Sequence, residues 1–179
     1  MIILNKSQTG EKKEEIISAI KAGKIFIYPT DTIYGMGCDA TNEDTVKKLR
    51  VIKNRFEKPF SVIAPSKEWI LENCMVNESD LKILPGPFTL ILKIKNKDIV
   101  VPDVSFLDTL GVRIPDSWFT EIISEAGVPF ITTSVNLSGE KHMEKLEDVP
   151  REILEKVDYV IYDGPITGKQ STRVNLSMQ

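Results

Sequence analysis

Residues 24–37 read Lys24-Ile25-Phe26-Ile27-Tyr28-Pro29-Thr30-Asp31-Thr32-Ile33-Tyr34-Gly35-Met36-Gly37, and the fold class turns on them. The opening KIFIYP is aromatic and β-branched and closes on a proline, which spells a short strand. Behind it, residues 11–21 put Ile16, Ile17 and Ile20 on one helical face, and Gly23 stops that helix. Ahead of it, residues 42–53 predict a second helix with Val46, Leu49 and Ile52 as its buried row. The same punctuation continues along the chain. Strands are expected at 61–64, 88–94, 110–114, 130–133 and 159–162, each rich in Val, Ile, Phe or Thr and bounded by Pro or Gly. Helices are expected at 66–74, 117–126 and 148–156, the last capped by Asp148 with Pro150 in its first turn. This interleaving predicts an α/β (α+β-like) fold: a single domain over 1–179 with an open, twisted mixed β-sheet covered by helices. Not every link alternates, so a regular doubly wound sheet is disfavoured.

Of the 179 residues, 41% are hydrophobic and 27% charged, which suits one domain with a sizeable core. A net charge of −3 disfavours a globally basic nucleic-acid binder and leaves room for a local basic patch. Cys38 and Cys74 have no paired ligand spacing, so neither a disulfide framework nor a metal site is expected. His142 is the only histidine, so any Ser-His or Cys-His mechanism rests on it alone. No stretch approaches 18 apolar residues and no leader precedes one, so a cytoplasmic protein without membrane association is expected.

Four constellations can carry chemistry. In Tyr28–Gly37 a strand end runs into hydroxyls, a carboxylate and two glycines, which serve a small ligand or merely a polar turn. Between Thr45 and Lys58 lie Lys47, Lys48, Arg50, Lys53, Arg55 and Lys58 against Glu57 alone. Such a run is either an anion site or a solvated helix face. The solvated face accounts for Lys47 and Lys48 but less well for Lys53, Arg55 and Lys58 where the helix ends. Arg113 interrupts the apolar Gly111-Val-Arg-Ile-Pro115, as a site residue or on a wet strand face. Thr132-Thr-Ser-Val-Asn-Leu-Ser-Gly139 is a strand end rich in hydroxyls, suited to phosphate or an adenine edge, or again a turn.

Taken together these segments resemble the YrdC-like family, the catalytic domain of threonylcarbamoyladenylate synthases. The family's Pro-Thr-(Asp/Glu)-Thr-(Val/Ile)-Tyr-Gly-Leu-Gly stands here as Pro29–Gly37, with Met36 for the Leu. Its Lys-x-Arg element and following Lys-Pro stand as Lys53, Arg55, Lys58 and Pro59, and its Pro-Gly-Pro-x-Thr as Pro85–Thr89. Val112–Pro115, Ser134–Gly139 and the pair Ser171-Thr172 complete six matches in the family's order. The chain departs in reading Arg173-Val174-Asn175 where the family has two aliphatics and an Asp. It ends at Gln179 without the Arg-x-Gly segment near the nucleotide, so a short form without the extra C-terminal domain and a less enclosed nucleotide are expected.

The resemblance implies a nucleotidyltransferase that makes L-threonylcarbamoyladenylate from ATP, L-threonine and bicarbonate and releases pyrophosphate. The product serves threonylcarbamoyl modification of the adenosine next to the tRNA anticodon, through a downstream threonylcarbamoyl-transferase complex. Mg2+ is expected on the nucleotide and no protein-held metal. The implied site places threonine against Thr32, Arg113, Ser134 and Ser171. Arg55, Lys58, Thr109 and Asn136 are placed near the ATP. Lys53 and Arg55 are the implied catalytic cations. Two rival readings remain: an RNA-binding YrdC/YciO-like module without adenylate synthesis, with tRNA bound weakly through the 47–58 patch, and a carbamoyl-transfer domain.

Overall fold

A computed structural model describes residues 1–178, which build a ten-stranded sheet. Side by side lie β1 (Ile2–Leu4), β9 (Tyr159–Ile161), β2 (Phe26–Tyr28), β3 (Gly35–Gly37), β8 (Phe130–Ser134), β4 (Ser61–Ile63), β7 (Thr109–Arg113), β6 (Phe88–Ile94) and β10 (Thr172–Asn175). β5 (Cys74–Met75) pairs with the end of β6. The β1–β9, β9–β2, β4–β7 and β6–β10 pairs are parallel and the rest antiparallel, so the sheet is mixed.

The helices cover both faces. They are α1 (Lys6–Glu11), α2 (Lys13–Lys21), α3 (Glu43–Lys53), α4 (Lys67–Asn73), α5 (Trp118–Ala126) and α6 (Arg151–Leu154). The strand period of two sorts the core into two layers. Ile25, Ile27, Val62, Ile131 and Val160 pack toward Val46, Leu49 and Ile52 of α3 and Ile153 of α6. Phe26, Tyr28, Ile63, Phe130 and Tyr159 pack toward Ile16 and Ile20 of α2 and Phe119, Ile122 and Ile123 of α5. Stacked rings tie this second layer together, Phe26 on Tyr159 at 4.8 Å and Tyr28 on Phe119 at 5.3 Å between centroids. Each such side chain stabilises the fold by roughly 1.5–3 kcal/mol through burial.

Several local expectations are corrected. The first helix begins earlier and is broken at Lys12, because Asn5 and Gln8 form a reciprocal capping box that starts α1. The helix expected at 148–156 shrinks to α6. The Asp148 carboxylate accepts from the Glu144 and Lys145 amides and closes a 3-10 turn, and the helix proper follows Pro150. The glycine-punctuated turn ends in a strand, β3. A Cβ on Gly37 would lie 1.6 Å from the Ile131 carbonyl oxygen, so glycine is what lets β3 approach β8. β10 was not expected, since Thr-Arg-Val-Asn shows no apolar alternation; its register with Phe88–Ile91 of β6 makes it a strand. Among the described residues no helix is long and apolar enough to cross a membrane.

Candidate active site

An open cavity of about 690 Å³, counting its mouth, lies where β2, β7 and β8 end and β4 and β6 begin. Its walls come from the 30–35 loop, Arg55, Ser61, Thr89, Arg113, the 132–134 strand end and residues 170–173. The walls are mostly hydroxyls and guanidiniums.

The buried anchor is Arg113, at the end of β7. Its Nη2 pairs with Asp31 Oδ1 at 2.5 Å and its Nη1 donates to Thr32 Oγ1 at 3.3 Å, with the arginine side chain 6% exposed. Asp31 also accepts from the Asp116 amide at 3.0 Å, which fixes the carboxylate. Arg113 Nε is buried without a partner, leaving one donor unsatisfied. The wet-face reading of Arg113 is thereby set aside: the residue is 5% exposed. Thr30 shapes the loop beside it. Its hydroxyl donates to the Ile33 carbonyl at 2.6 Å and accepts from the Thr32 amide at 3.1 Å, a tight turn made by a side chain.

The basic segment divides in three. Lys47 pairs with Glu43, and both Lys47 and Lys48 face solvent. Arg50 turns inward: its Nε donates to Asp103 O at 2.6 Å, its Nη1 to Arg55 O at 2.8 Å and Lys58 O at 3.1 Å. Its guanidinium sits 4.5 Å from the Phe60 ring centroid and 4.7 Å from that of Phe106. Arg50 thus holds the 55–58 turn, and with it Arg55 at the cavity. Arg55 itself is lightly committed, with one good bond to Pro59 O at 2.6 Å and two long ones, to Lys58 O at 3.4 Å and Thr133 Oγ1 at 3.5 Å. Burial first, then the charges of Arg173 and Arg50, hold its pKa below the usual arginine range.

Lys53 does not line the cavity. Only 1% exposed, its Nζ donates to Ser134 O at 2.5 Å, Asn136 O at 2.8 Å and Asn136 Oδ1 at 2.6 Å, which uses all three N–H bonds of an ammonium. Ser134 Oγ donates to the same Asn136 Oδ1 at 2.7 Å. Lys53 is therefore a clamp that sets the 134–136 turn. Burial, and then the neighbouring Arg55 charge, pull the ammonium down to about 7 from an ordinary 10.5. Between those values the unfolded chain holds a proton that the folded chain has shed, so this group adds stability as pH rises from 7 to 10.5, gives it back as pH falls over the same range, and contributes no slope below 7. Unfolding by urea at pH 6, 8 and 9.5 should show wild type gaining stability relative to Lys53→Met as pH rises. A difference independent of pH would contradict the shifted lysine.

A strap closes the other side. Tyr34 Oη donates to Gly164 O at 2.6 Å and accepts from the Asp163 amide at 3.0 Å. A Cβ on Gly168 would meet the Thr32 carbonyl oxygen at 1.8 Å, so glycine lets the strap lie on the 30–34 loop. The Ser171 and Thr89 hydroxyls bond at 2.7 Å, and β10 continues the contact along β6.

Of the expected site residues, Thr32, Arg55, Arg113, Ser134 and Ser171 meet at this cavity. Asn136 and Lys53 sit behind it, joined to each other. Lys58 and Thr109 are off its wall. Lys58 is exposed, its carbonyl serving Arg50 and Arg55. Thr109 starts the strand that Arg113 ends, about 13 Å away at strand rise. Thr30, Thr89, Thr133 and Arg173 also line the cavity; they stood within quoted segments without a site role, while Ser61 and Gln170 went unremarked because a lone polar residue carries no spacing signal. Burial pushes both thiols up, that of Cys74 to about 11, so neither is poised as a nucleophile. The arrangement can hold a carboxylate, hydroxyls and phosphates rather than form a covalent enzyme intermediate.

Comparison with known proteins finds relatives along nearly the whole chain. A putative threonylcarbamoyl-AMP synthase of Methanocaldococcus jannaschii is 41% identical over 167 residues, covering 90% of this chain and 78% of that protein. The threonylcarbamoyl-AMP synthase of Vibrio parahaemolyticus is 31% identical, covering 87% and 88%. The crystal structure of P. abyssi Sua5 complexed with L-threonine superposes with a TM-score of 0.85 at 26% identity, covering 98% of this chain and 54% of that one. This chain therefore spans about half of the Sua5 structure. A family model, Sua5/YciO/YrdC, described as "Telomere recombination", matches residues 18–179. With nearly every residue of the sheet and the whole cavity inside that match, this chain is a member of the Sua5/YciO/YrdC family.

Proposed function

We propose that this chain synthesises L-threonylcarbamoyladenylate from ATP, L-threonine and bicarbonate, as an enzyme of tRNA threonylcarbamoyl modification. The observation that carries the reading is one cavity that joins a buried, Asp31-held arginine and a ring of hydroxyls to guanidiniums without carboxylate partners. Arg113 and Thr32 would take the threonine carboxylate, and Ser134 and Ser171 its polar groups. Arg55 would face the phosphates. Neutral threonine amine adds to CO2 drawn from bicarbonate and loses a proton to solvent, giving a carbamate. A carbamate oxygen then bonds to the α-phosphorus as the bond from that phosphorus to the bridging oxygen breaks and pyrophosphate leaves.

The protein's contribution is alignment and charge neutralisation. Mg2+ would travel on the nucleotide phosphates: among the described residues no three His, Cys, Asp or Glu side chains gather into a metal cage, and Asp31 is committed to Arg113. The adenylate would pass to a separate transferase that modifies tRNA, and the solvent-facing Lys47 and Lys48 offer weak tRNA contact at most. The test is release of pyrophosphate that requires both threonine and bicarbonate, with a known synthase assayed alongside.

Selectivity follows from the same walls. A site that hydrogen-bonds the threonine hydroxyl rejects an analogue lacking it more strongly than one lacking only a methyl, because its own polar groups are left unpaired. Steady-state kinetics should rank threonine over serine and serine over valine. Equal kcat/KM for threonine and valine would contradict the assignment of the hydroxyls.

A further inference from the structure

One cation at the cavity has no role in the scheme above. Arg173 stands solvent-exposed on β10 opposite Thr89, lines the cavity mouth, and its guanidinium makes no hydrogen bond or ion pair with any described residue. Its place is fixed from both sides, by the ladder of β10 on β6 and by the Ser171–Thr89 bond two residues earlier. Its charge reaches Arg55, whose pKa it helps to lower.

The other cations near the cavity are already answered. Arg113 is paired with Asp31 and assigned to the threonine carboxylate, and the Lys53 Nζ is enclosed by three carbonyl oxygens. No Asp or Glu lines the cavity. What remains is two guanidiniums facing one mouth with no counter-charge. Like charges in that setting repel, and an anion that reaches both meets the two charges at once. Guanidiniums also match phosphate oxygens with paired donors.

We propose that Arg173 and Arg55 together form a diphosphate site, which takes the β- and γ-phosphates of the nucleotide and then pyrophosphate itself. Arg173 is then a determinant of nucleotide affinity and product release. The naming of the nucleotide rests on the synthase reading; the diphosphate site does not.

The test is calorimetric titration of the full chain with inorganic pyrophosphate, inorganic phosphate and L-threonine, in wild type, Arg173→Ala and Arg173→Lys. Pyrophosphate should bind wild type more tightly than phosphate. Arg173→Ala should weaken pyrophosphate by about tenfold, the size of one charge-assisted hydrogen bond, and leave threonine affinity within about twofold. Arg173→Lys, which keeps the charge and loses the fork, should recover most of the affinity. Undiminished pyrophosphate binding by Arg173→Ala would overturn the proposal, as would equal binding of phosphate and pyrophosphate by wild type. Parallel loss of threonine and pyrophosphate would also overturn it, because Arg173 would then only support the strap. Since no turnover is read, a wild type that binds pyrophosphate through Arg173 but forms no adenylate would refute the synthase reading and keep the site.

Discussion

Arg113→Ala is expected to lower kcat/KM for threonine by roughly 100- to 1,000-fold, the cost of losing a preorganised, desolvated contact to a reacting ligand. It should also destabilise the fold by roughly 3–5 kcal/mol, because Asp31, whose side chain is 11% exposed, is left as an unpaired buried charge. The two effects separate in a double variant. Asp31→Asn with Arg113→Ala removes the stranded charge and should recover much of the stability as read by urea unfolding. Activity should not return, since no cation remains to meet the threonine carboxylate. Recovery of both would mean that Arg113 only supports the loop.

The second large effect distinguishes members of one basic run. Arg55→Ala should lose about 2–4 kcal/mol of transition-state stabilisation, a factor of tens to hundreds in turnover. Lys47→Ala should change stability by about 0.5 kcal/mol and leave turnover nearly intact, because Lys47 meets only Glu43 on an exposed helix face. Circular dichroism of both variants should match the parent. Equal losses from the two substitutions would mean that the run is a solvated face with no anion site.

The arrangement was legible because helices show in side-chain period and strands in β-branched and aromatic runs closed by Pro or Gly. Val46, Leu49 and Ile52 mark one helix face and are buried on it, and Phe26, Ile27 and Tyr28 are buried throughout β2. Thr32, Arg55, Arg113, Ser134 and Ser171 come from five separate segments, and only the ordered resemblance joined them in advance. The inward turn of Lys53 was not legible. Its acceptors lie 81 and 83 residues away, so its place at the helix end set it apart from Lys47 and Lys48 but could not show what it binds. Arg50 was named in the run but given no role of its own, since its task is to bind the distant carbonyl of Asp103 and those of Arg55 and Lys58. Arg173 stood out only as a departure from a pattern. Its position at the cavity depends on β10 pairing with β6, which four polar-leaning residues do not announce.

The central claim is that one cavity brings threonine, bicarbonate-derived carbon and the α-phosphate of ATP together. Mass spectrometry of a reaction containing the full chain, ATP, Mg2+, L-threonine and 13C-labelled bicarbonate measures this directly. The account predicts a threonylcarbamoyl-adenylate one mass unit heavier than its unlabelled form, absent when threonine is omitted and sharply reduced with Arg113→Ala. ATP left intact by wild type, under conditions where a known synthase forms the labelled adduct, would contradict it.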